Sequence, residues 1–312
     1  MRSYVWAIPL RDRFRGITVR EGMLLEGAAG WAEWSPFVEY DDAEAASWLR
    51  CALEAAAGDW AEPVREVVPV NVTVPAVAPD RAAEITRVSG LSTAKVKVGD
   101  LLAEDIDRVA AVREALGPAG KIRVDVNGLW SVEEAPVAIR ALDAAAGGLE
   151  YVEQPCRTVE ELALVRRKVD VPIAADESIR RAEDPYRVRE LEAADVAILK
   201  VQPLGGVRAC LRIAEDIGLP VVVSSALETS VGIAAGVALA AALPELGHAC
   251  GLATVQLLAG DVVAEPLLPV DGFLPVVSPN LVESVPTAAP DRVAHWQARL
   301  ASVAALGQDH SS

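Results

Sequence analysis

Five residues in this chain have the types and the spacing that proton-transfer chemistry needs. Lys97, Asp125, Glu153, Asp176 and Lys200 follow one another at intervals of 28, 28, 23 and 24 residues. Each ends or closely follows a short apolar run: Ala94-Lys95-Val96-Lys97, Arg123-Val124-Asp125-Val126-Asn127, Tyr151-Val152-Glu153-Gln154-Pro155, Ala174-Ala175-Asp176-Glu177-Ser178 and Ile198-Leu199-Lys200. A strand, a helix and their loops take about this length of chain, so the interval reads as one βα unit. The C-terminal ends of parallel barrel strands share one rim, which brings the five side chains into one mouth.

Three carboxylates in an apolar mouth repel, and at least one is held protonated unless a cation sits among them. Oxygen donors without His or Cys suit a hard ion, Mg²⁺ or Mn²⁺, with open positions for a substrate. Lysines beside such an ion have a lowered pKa, which makes a neutral amine available as a base. Lysine usage agrees: the chain has 24 Arg but only Lys95, Lys97, Lys121, Lys168 and Lys200. Arg stays protonated, whereas Lys can exchange a proton. Other readings compete residue by residue. Lys95 and Lys97 also suit a half-exposed strand face, and Asp176-Glu177 also suits a helix N-terminus, with Glu177 as the cap and Asp176 as the ligand. Arg123 suits either support of the carboxylates or contact with a substrate.

Composition removes other chemistries. The only histidines are His248, His295 and His310, too few and too badly spaced for a zinc site or a Ser-His-Asp triad. No GxxxxGK[ST], GxGxxG or GxSxG occurs. A formal charge of −16 disfavours nucleic acid and anionic membrane surfaces as partners. The apolar run Tyr4–Leu10 meets Arg11, Asp12 and Arg13 at once, which does not suit an export signal. Gly232–Leu243 spans 12 residues and suits a buried helix better than a bilayer span. Cys51, Cys156, Cys210 and Cys250 lie far apart, the usage of a reducing, cytoplasmic protein.

The elements that must position the five residues follow from the pattern. Met23–Leu25 and Gly30–Trp34 read as strands and Asp42–Ala57 as a helix with Asp41-Asp42 at its cap, a small α+β unit with Trp31 and Trp34 in its core. Strands are expected at Val68–Val74, Ala94–Val98, Ile122–Val126, Leu149–Val152, Ile173–Ala175, Val196–Leu199, Val221–Val223 and, more weakly, Leu252–Val255. Helices are expected at Leu102–Leu116, Val132–Ala145, Val159–Lys168, Val207–Ile217 and Thr229–Leu243. Eight strands alternating with helices suit an α/β barrel better than the runner-up, an open doubly wound sheet. The Pro-rich tail after Val262 is expected to return to the N-terminal unit.

At these residues the chain resembles the enolase superfamily, in its muconate-lactonising-enzyme branch, over nearly its whole length. The motifs are Lys95-Val96-Lys97, Asp125 with Asn127, Glu153-Gln154-Pro155, Asp176-Glu177-Ser178, and Lys200 ahead of Pro203-Leu204-Gly205-Gly206. The resemblance implies a (β/α)7β TIM-like barrel, residues 66–264, under a small α+β capping domain built from 1–65 plus about 265–312. It implies Mg²⁺ on Asp125, Glu153 and Asp176, and Lys97 and Lys200 on opposite faces of a small carboxylate substrate. The shared step is loss of a proton α to the carboxylate, with the metal stabilising the enediolate. Three further segments narrow the reaction: Phe14–Gly22, Gly30–Phe37 (with Ala32-Glu33 where the family often has Gly-Glu) and Ser224–Ser230. They resemble members that carry out a syn dehydration of a hydroxycyclohexadiene carboxylate bearing a succinyl chain. Lys95, Arg15, Ser224 and Ser225 are then the expected substrate contacts, the serines hydrogen-bonding the succinyl carboxylate or, as a buried pair, nearby backbone. Racemases of N-succinylamino acids and dipeptide epimerases keep the same lysines and ligands. Epimerases usually add an Asp-x-Asp where this chain has Gly251-Leu252-Ala253-Thr254. A barrel that binds without catalysis is the remaining alternative, and it would be expected to have lost one of the five positions. The sequence leaves the oligomeric state open.

Overall fold

The structure, a computed structural model, describes residues 2–181, 185–282 and 284–309, the last three by backbone alone; His310 lies outside them. The chain opens with an antiparallel sheet, β1 (Ser3–Phe14), β2 (Ile17–Gly27) and β3 (Gly30–Trp34), followed by α1 (Asp42–Ala57). The run from Tyr4 to Leu10 is thus the body of an edge strand. Arg15 and Gly16 turn β1 into β2 with φ of +52° and +79°, the left-handed pair that a tight hairpin requires. Asp41 accepts the Glu44 amide at 2.8 Å and Gly58 ends α1 in the left-handed region, so both helix ends have their orphan groups met.

The alternation follows: β4 (Val67–Pro69), β5 (Val72–Val74), α2 (Pro79–Ser89), β6 (Thr93–Lys97), α3 (Leu102–Leu116), β7 (Lys121–Asp125), α4 (Ala135–Ala146), β8 (Tyr151–Glu153), α5 (Val159–Arg166), β9 (Ile173–Ala175), α6 (Glu177–Arg180), α7 (Arg187–Glu190), β10 (Val196–Lys200), α8 (Val201–Leu204), α9 (Val207–Ile217), β11 (Val221–Ser224) and α10 (Ser230–Ala242). Strands β5 to β11 form one parallel sheet in chain order. Its edges meet through two residues, Cys250 bridging Val70 and Gly251 bridging Ser224. A sheet whose strand order never reverses and whose edges join is a barrel, which removes the doubly wound alternative. The eighth strand expected at Leu252–Val255 is displaced: pairing falls on Cys250–Gly251, and Ala253–Leu257 is a 3₁₀ turn. Gly251 sits so close to β11 that a Cβ there would lie 2.6 Å from Ser224 Oγ.

Beyond the barrel, β12 (Phe273–Pro275) pairs with β4, and α11 (Pro290–Asp309) returns to pack on α1 and β1. The core of this unit holds Trp6, Trp34, Trp48 and Trp296, each at most 2% exposed, with Trp34 edge-on to Trp296 at 5.6 Å. Trp31 stacks on Tyr4 at 5.1 Å and is half-buried. Helix α10 is buried over nearly all its length, as the run from Gly232 suggests. Among the described residues no helix is long and apolar enough to cross a membrane.

Asp41→Ala should remove the α1 cap and cost about 1 kcal/mol, read as a lower urea midpoint with an unchanged slope.

Candidate active site

The two-residue period of a strand decides what the barrel encloses. Ala94, Val96, Ile122, Val124, Val152, Ile173, Ala175, Ala197, Leu199, Val221 and Val223 point outward into the core beneath the helices. The alternate set points inward, and on each of β6 to β8 and β10 its last member is ionisable. Pairing sets Lys97 opposite Asp125, and Asp125 opposite Glu153. Lys200 stands opposite Ser224. Asp176 follows β9 directly, two residues past Ala174, which pairs with Glu153. The five residues singled out by spacing therefore share one rim.

At that rim the charges neutralise one another. Lys97 Nζ lies 2.5 Å from Asp125 Oδ2 and 2.7 Å from Asn127 Oδ1. Lys95 Nζ is 2.9 Å from both Glu153 oxygens and 3.3 Å from Asp125 Oδ2. Lys200 Nζ meets Asp176 Oδ2 at 2.5 Å, and Arg180 Nε meets Asp176 Oδ1 at 2.9 Å. All three carboxylates are essentially inaccessible, at 0–1% exposure. Burial drives Asp125 upward, but Lys97, Lys95 and Lys200 outweigh it and hold this acid far below its ordinary range. Burial likewise loses to Arg180 and Lys200 at Asp176, which is also held low. Glu153 is pushed up, by burial first and then by the charge of Asp125, against Lys95. Burial lowers Lys97 below the usual lysine value, with Lys95 and Lys200 acting in the same direction against Asp125.

Local backbone fixes these geometries. Asn127 and Gln154, just past β7 and β8, hold positive φ of 53° and 41°, strain that persists only where surrounding bonds impose it. The buried Gln154 amide is fully used. Its oxygen accepts from the amides of Asp176 and Ser178 at 3.0 and 3.1 Å, and its nitrogen donates to Cys156 O and Ser178 Oγ at 2.9 and 2.7 Å. It ties the end of β8 to the end of β9 and so sets Asp176 against Glu153. Asp176 occupies the cap position of α6 without bonding its amides, and Glu177 instead meets Arg180 at 2.5 Å and Asn127 at 3.2 Å. The expected cap role of Glu177 is therefore not what the structure shows.

A pocket opens over this cluster. Lys95, Lys97, Asp125, Lys200, Ser224, Ser225 and Arg15 all line it, with Phe14, Phe37, Pro203, Ala226, Leu227 and Thr254 from segments noted in the sequence, and with Tyr40, Trp48, Thr73 and Arg180, which the sequence did not single out. Arg180 had a signal, an Arg one helical turn after Asp176; Phe14 and Phe37 belong to the two N-terminal segments that the resemblance picked out, and Tyr40 and Trp48 had none. Arg15 pairs with Glu39 at 3.0 Å and lies 4.2 Å over the Phe37 ring. Ser225 Oγ is 2.6 Å from Thr254 Oγ1. The enclosed part of the pocket measures about 40 Å³, room for a few waters. Arg123 takes neither of its expected roles. It lies one layer below Asp125, bonded to Glu150, Asn71, Tyr151 and Ala249 O, with His248 beside Glu150.

Among the described residues no three acidic, His or Cys side chains converge on one point as they stand; ammonium groups hold the space between them. The donor set fits a hard divalent ion in its chemistry. Asp125 and Glu153 end β7 and β8 and Asp176 directly follows β9; all three are oxygen donors, and each already holds a cation in the form of Lys or Arg.

A barrel whose rim carries this set, under a capping unit, defines a class. Residues 78–280 match the family described as enolase C-terminal domain-like and residues 5–56 the enolase N-terminal domain-like family; the chain belongs to the enolase superfamily. Within it the chain is 63% identical over 308 residues to o-succinylbenzoate synthase of Thermobifida fusca, covering 98% of this chain and 96% of that one. It is 56% identical to the protein of the same name from Mycolicibacterium smegmatis, over 95% of this chain and 92% of that one. Solved structures share the fold: muconate lactonizing enzyme from Pseudomonas fluorescens (TM-score 0.78, 23% identity, 95% and 97% coverage). Dipeptide epimerase from Enterococcus faecalis, complexed with Mg and a dipeptide, gives a TM-score of 0.76 at 24% identity, with 89% and 96% coverage.

Gln154→Ala should leave two buried amides without acceptors, at a cost of about 2–3 kcal/mol in urea unfolding. Gln154→Glu, which keeps the accepting oxygen, should recover part of that loss.

Proposed function

We infer that this chain is a hydro-lyase that dehydrates 2-succinyl-6-hydroxy-2,4-cyclohexadiene-1-carboxylate to o-succinylbenzoate, the aromatising step of menaquinone synthesis. The observation that carries this reading is the 63% identity with the Thermobifida fusca o-succinylbenzoate synthase over 98% of the chain. The pocket supplies the means. Lys97 and Lys200 end β6 and β10, the second and sixth strands of the barrel, so they face each other across its mouth.

On this reading neutral Lys97 removes the proton α to the ring carboxylate, and the electron pair passes to that carboxylate. The same ammonium then gives its proton to the hydroxyl on the same face. The C–O bond breaks, water leaves, the aromatic ring forms and the amine is neutral again. Lys200 stays charged on the other face, where its ammonium stabilises the developing negative charge and can lie against the ring. Asp125, Glu153 and Asp176 would hold Mg²⁺ or Mn²⁺, which when bound supplies a Lewis-acid charge for the substrate carboxylate. Ser224, Ser225 and Arg15 would receive the succinyl carboxylate, a reading supported by their lining the pocket. Lys95 borders the same space while bonded to Glu153. We take residues 1–65 with about 265–312 as the capping unit and 66–264 as the barrel, a division supported by the packing of α11 on α1.

Incubation with Mg²⁺ and the cyclohexadiene should replace the diene absorbance with that of o-succinylbenzoate. Deuterium exchange into N-succinylamino acids or dipeptides in D₂O without any dehydration would overturn the reading. Lys97→Arg keeps charge and loses the base, so turnover should fall at least about 10²-fold; near-normal turnover would refute the assignment. Asp176→Asn should weaken Mg²⁺ binding in calorimetry, with unchanged affinity counting against the ligand set.

A further inference from the structure

A second polar cluster lies outside the reacting groups, between the N-terminal sheet and the loop that follows β11. Glu33, at the end of β3, is 3% exposed. One of its oxygens accepts from Ser35 Oγ at 2.6 Å. The other accepts from the amides of Thr229 and Gly232 at 3.1 and 3.2 Å and from the Thr229 hydroxyl. Gly232 is the third residue of α10, and the Thr229 side chain does not cap that helix. The carboxylate from the sheet therefore takes the place of a local cap on this N-terminus, where the helix dipole favours negative charge.

Arg20, on β2 and 2% exposed, holds the same loop by its carbonyls. Its Nε donates to Leu227 O at 3.1 Å, and its Nη2 donates to Ala226 O at 3.3 Å and to Ser35. Leu227 has a φ of +66°, an uncommon conformation for a branched residue that needs external restraint. The Arg20 guanidinium also lies 4.3 Å over the Phe37 ring, which Arg15 covers as well. Gln202, two residues past Lys200, closes the cluster by accepting from the Ser35 amide at 3.3 Å. Neither Arg20 nor Glu33 lines the pocket; Arg20 holds the wall residues Ala226, Leu227 and Phe37, and Glu33 holds Thr229, two residues past Leu227.

We propose that Glu33 and Arg20 are positioning residues that set which acyl chain the pocket accepts, by fixing the Ser224–Thr229 loop from the capping sheet. The proposal rests on the preceding reading for the identity of that chain. On that reading the reacting carbon would sit between Lys97 and Lys200, and the succinyl chain would meet the loop, which carries Ser224 and Ser225. Loosening it should weaken chain recognition and leave the proton transfer in place.

The test uses the full protein and three variants. Glu33→Ala removes all four acceptor contacts, Thr229→Val removes one hydroxyl without changing shape, and Glu33→Gln keeps an oxygen toward Thr229 and Gly232 while its nitrogen can face Ser35 Oγ. Steady-state rates are measured on the succinyl substrate and on malonyl- and glutaryl-chain analogues, with calorimetric Mg²⁺ affinity and amide hydrogen exchange of residues 224–229. Glu33→Ala is expected to raise KM for the succinyl substrate about tenfold with kcat changed less than about threefold. It should also narrow the preference for succinyl over the other chains, speed exchange in the loop and leave Mg²⁺ affinity unchanged. Thr229→Val should shift the same quantities less, and Glu33→Gln should restore them. Faster loop exchange with an unaltered chain preference would overturn the proposal, as would a fall in kcat and Mg²⁺ affinity together. If Glu33→Ala fails to fold, an unchanged KM and chain preference in Thr229→Val overturns it alone. A wild-type protein inert on the diene would instead refute the preceding reading, and unchanged loop exchange in the variants would then overturn this one.

Discussion

Charge is tolerated in a protein interior only when opposite charge is at hand, and the mouth of this barrel is arranged by that constraint. Asp125, Glu153 and Asp176 are buried more completely than most apolar side chains, and each is matched by an ammonium or guanidinium within 2.9 Å. The matching requires the strand ends to lie level, since a slip of one residue would turn every inward group outward. It requires Gln154 to hold the start of α6 against β8. It also suits lysine at the ends of β6 and β10, with Lys95 two residues earlier on β6, in a chain that otherwise uses arginine: the ammonium is compact and, unlike a guanidinium, can give up its proton.

How far this was legible in the sequence depended on whether a feature was local. Lys97, Asp125, Glu153, Asp176 and Lys200 could be read because one βα unit separates neighbours and each closes an apolar run. Helices α1, α3 and α9 matched their expected ends, where Asp41, Gly58, Gly117 and Gly218 mark the limits. The eighth strand was misplaced because two bridging residues, Cys250 and Gly251, have no period to detect, while Leu252–Val255 has the composition of a strand and lies in a 3₁₀ turn. Arg123 was ambiguous in sequence because strand parity puts it on the same inward face as Asp125; only depth separates them. Phe14 and Phe37 lie in segments that the resemblance picked out, but nothing local marked them as pocket walls, and Tyr40 and Trp48 could not have been found at all, since all four reach the pocket by docking of one unit on another.

That docking is polar as well as apolar. Glu54 of α1 accepts the Val207 and Arg208 amides at the start of α9, at 2.6 and 3.0 Å, and a Cβ on Gly206 would collide with its carboxylate. Glu33 does the same for α10. Two helices of the barrel thus have their N-termini closed by acids of the other unit. These contacts fix orientation, because a helix end accepts a carboxylate from a narrow range of directions.

The return of α11 has a consequence for synthesis on the ribosome. Trp34 and Trp296 face each other in one core, yet a whole barrel of sequence separates them. At about 5–20 residues per second, the sheet of the N-terminal unit waits on the order of 10–50 seconds for its last helix. During that time its tryptophan-rich face is open to whatever apolar surface is near, including that of a neighbouring nascent chain. The sheet made before the barrel is therefore completed after it, and the barrel must form beside a cap that is still unfinished.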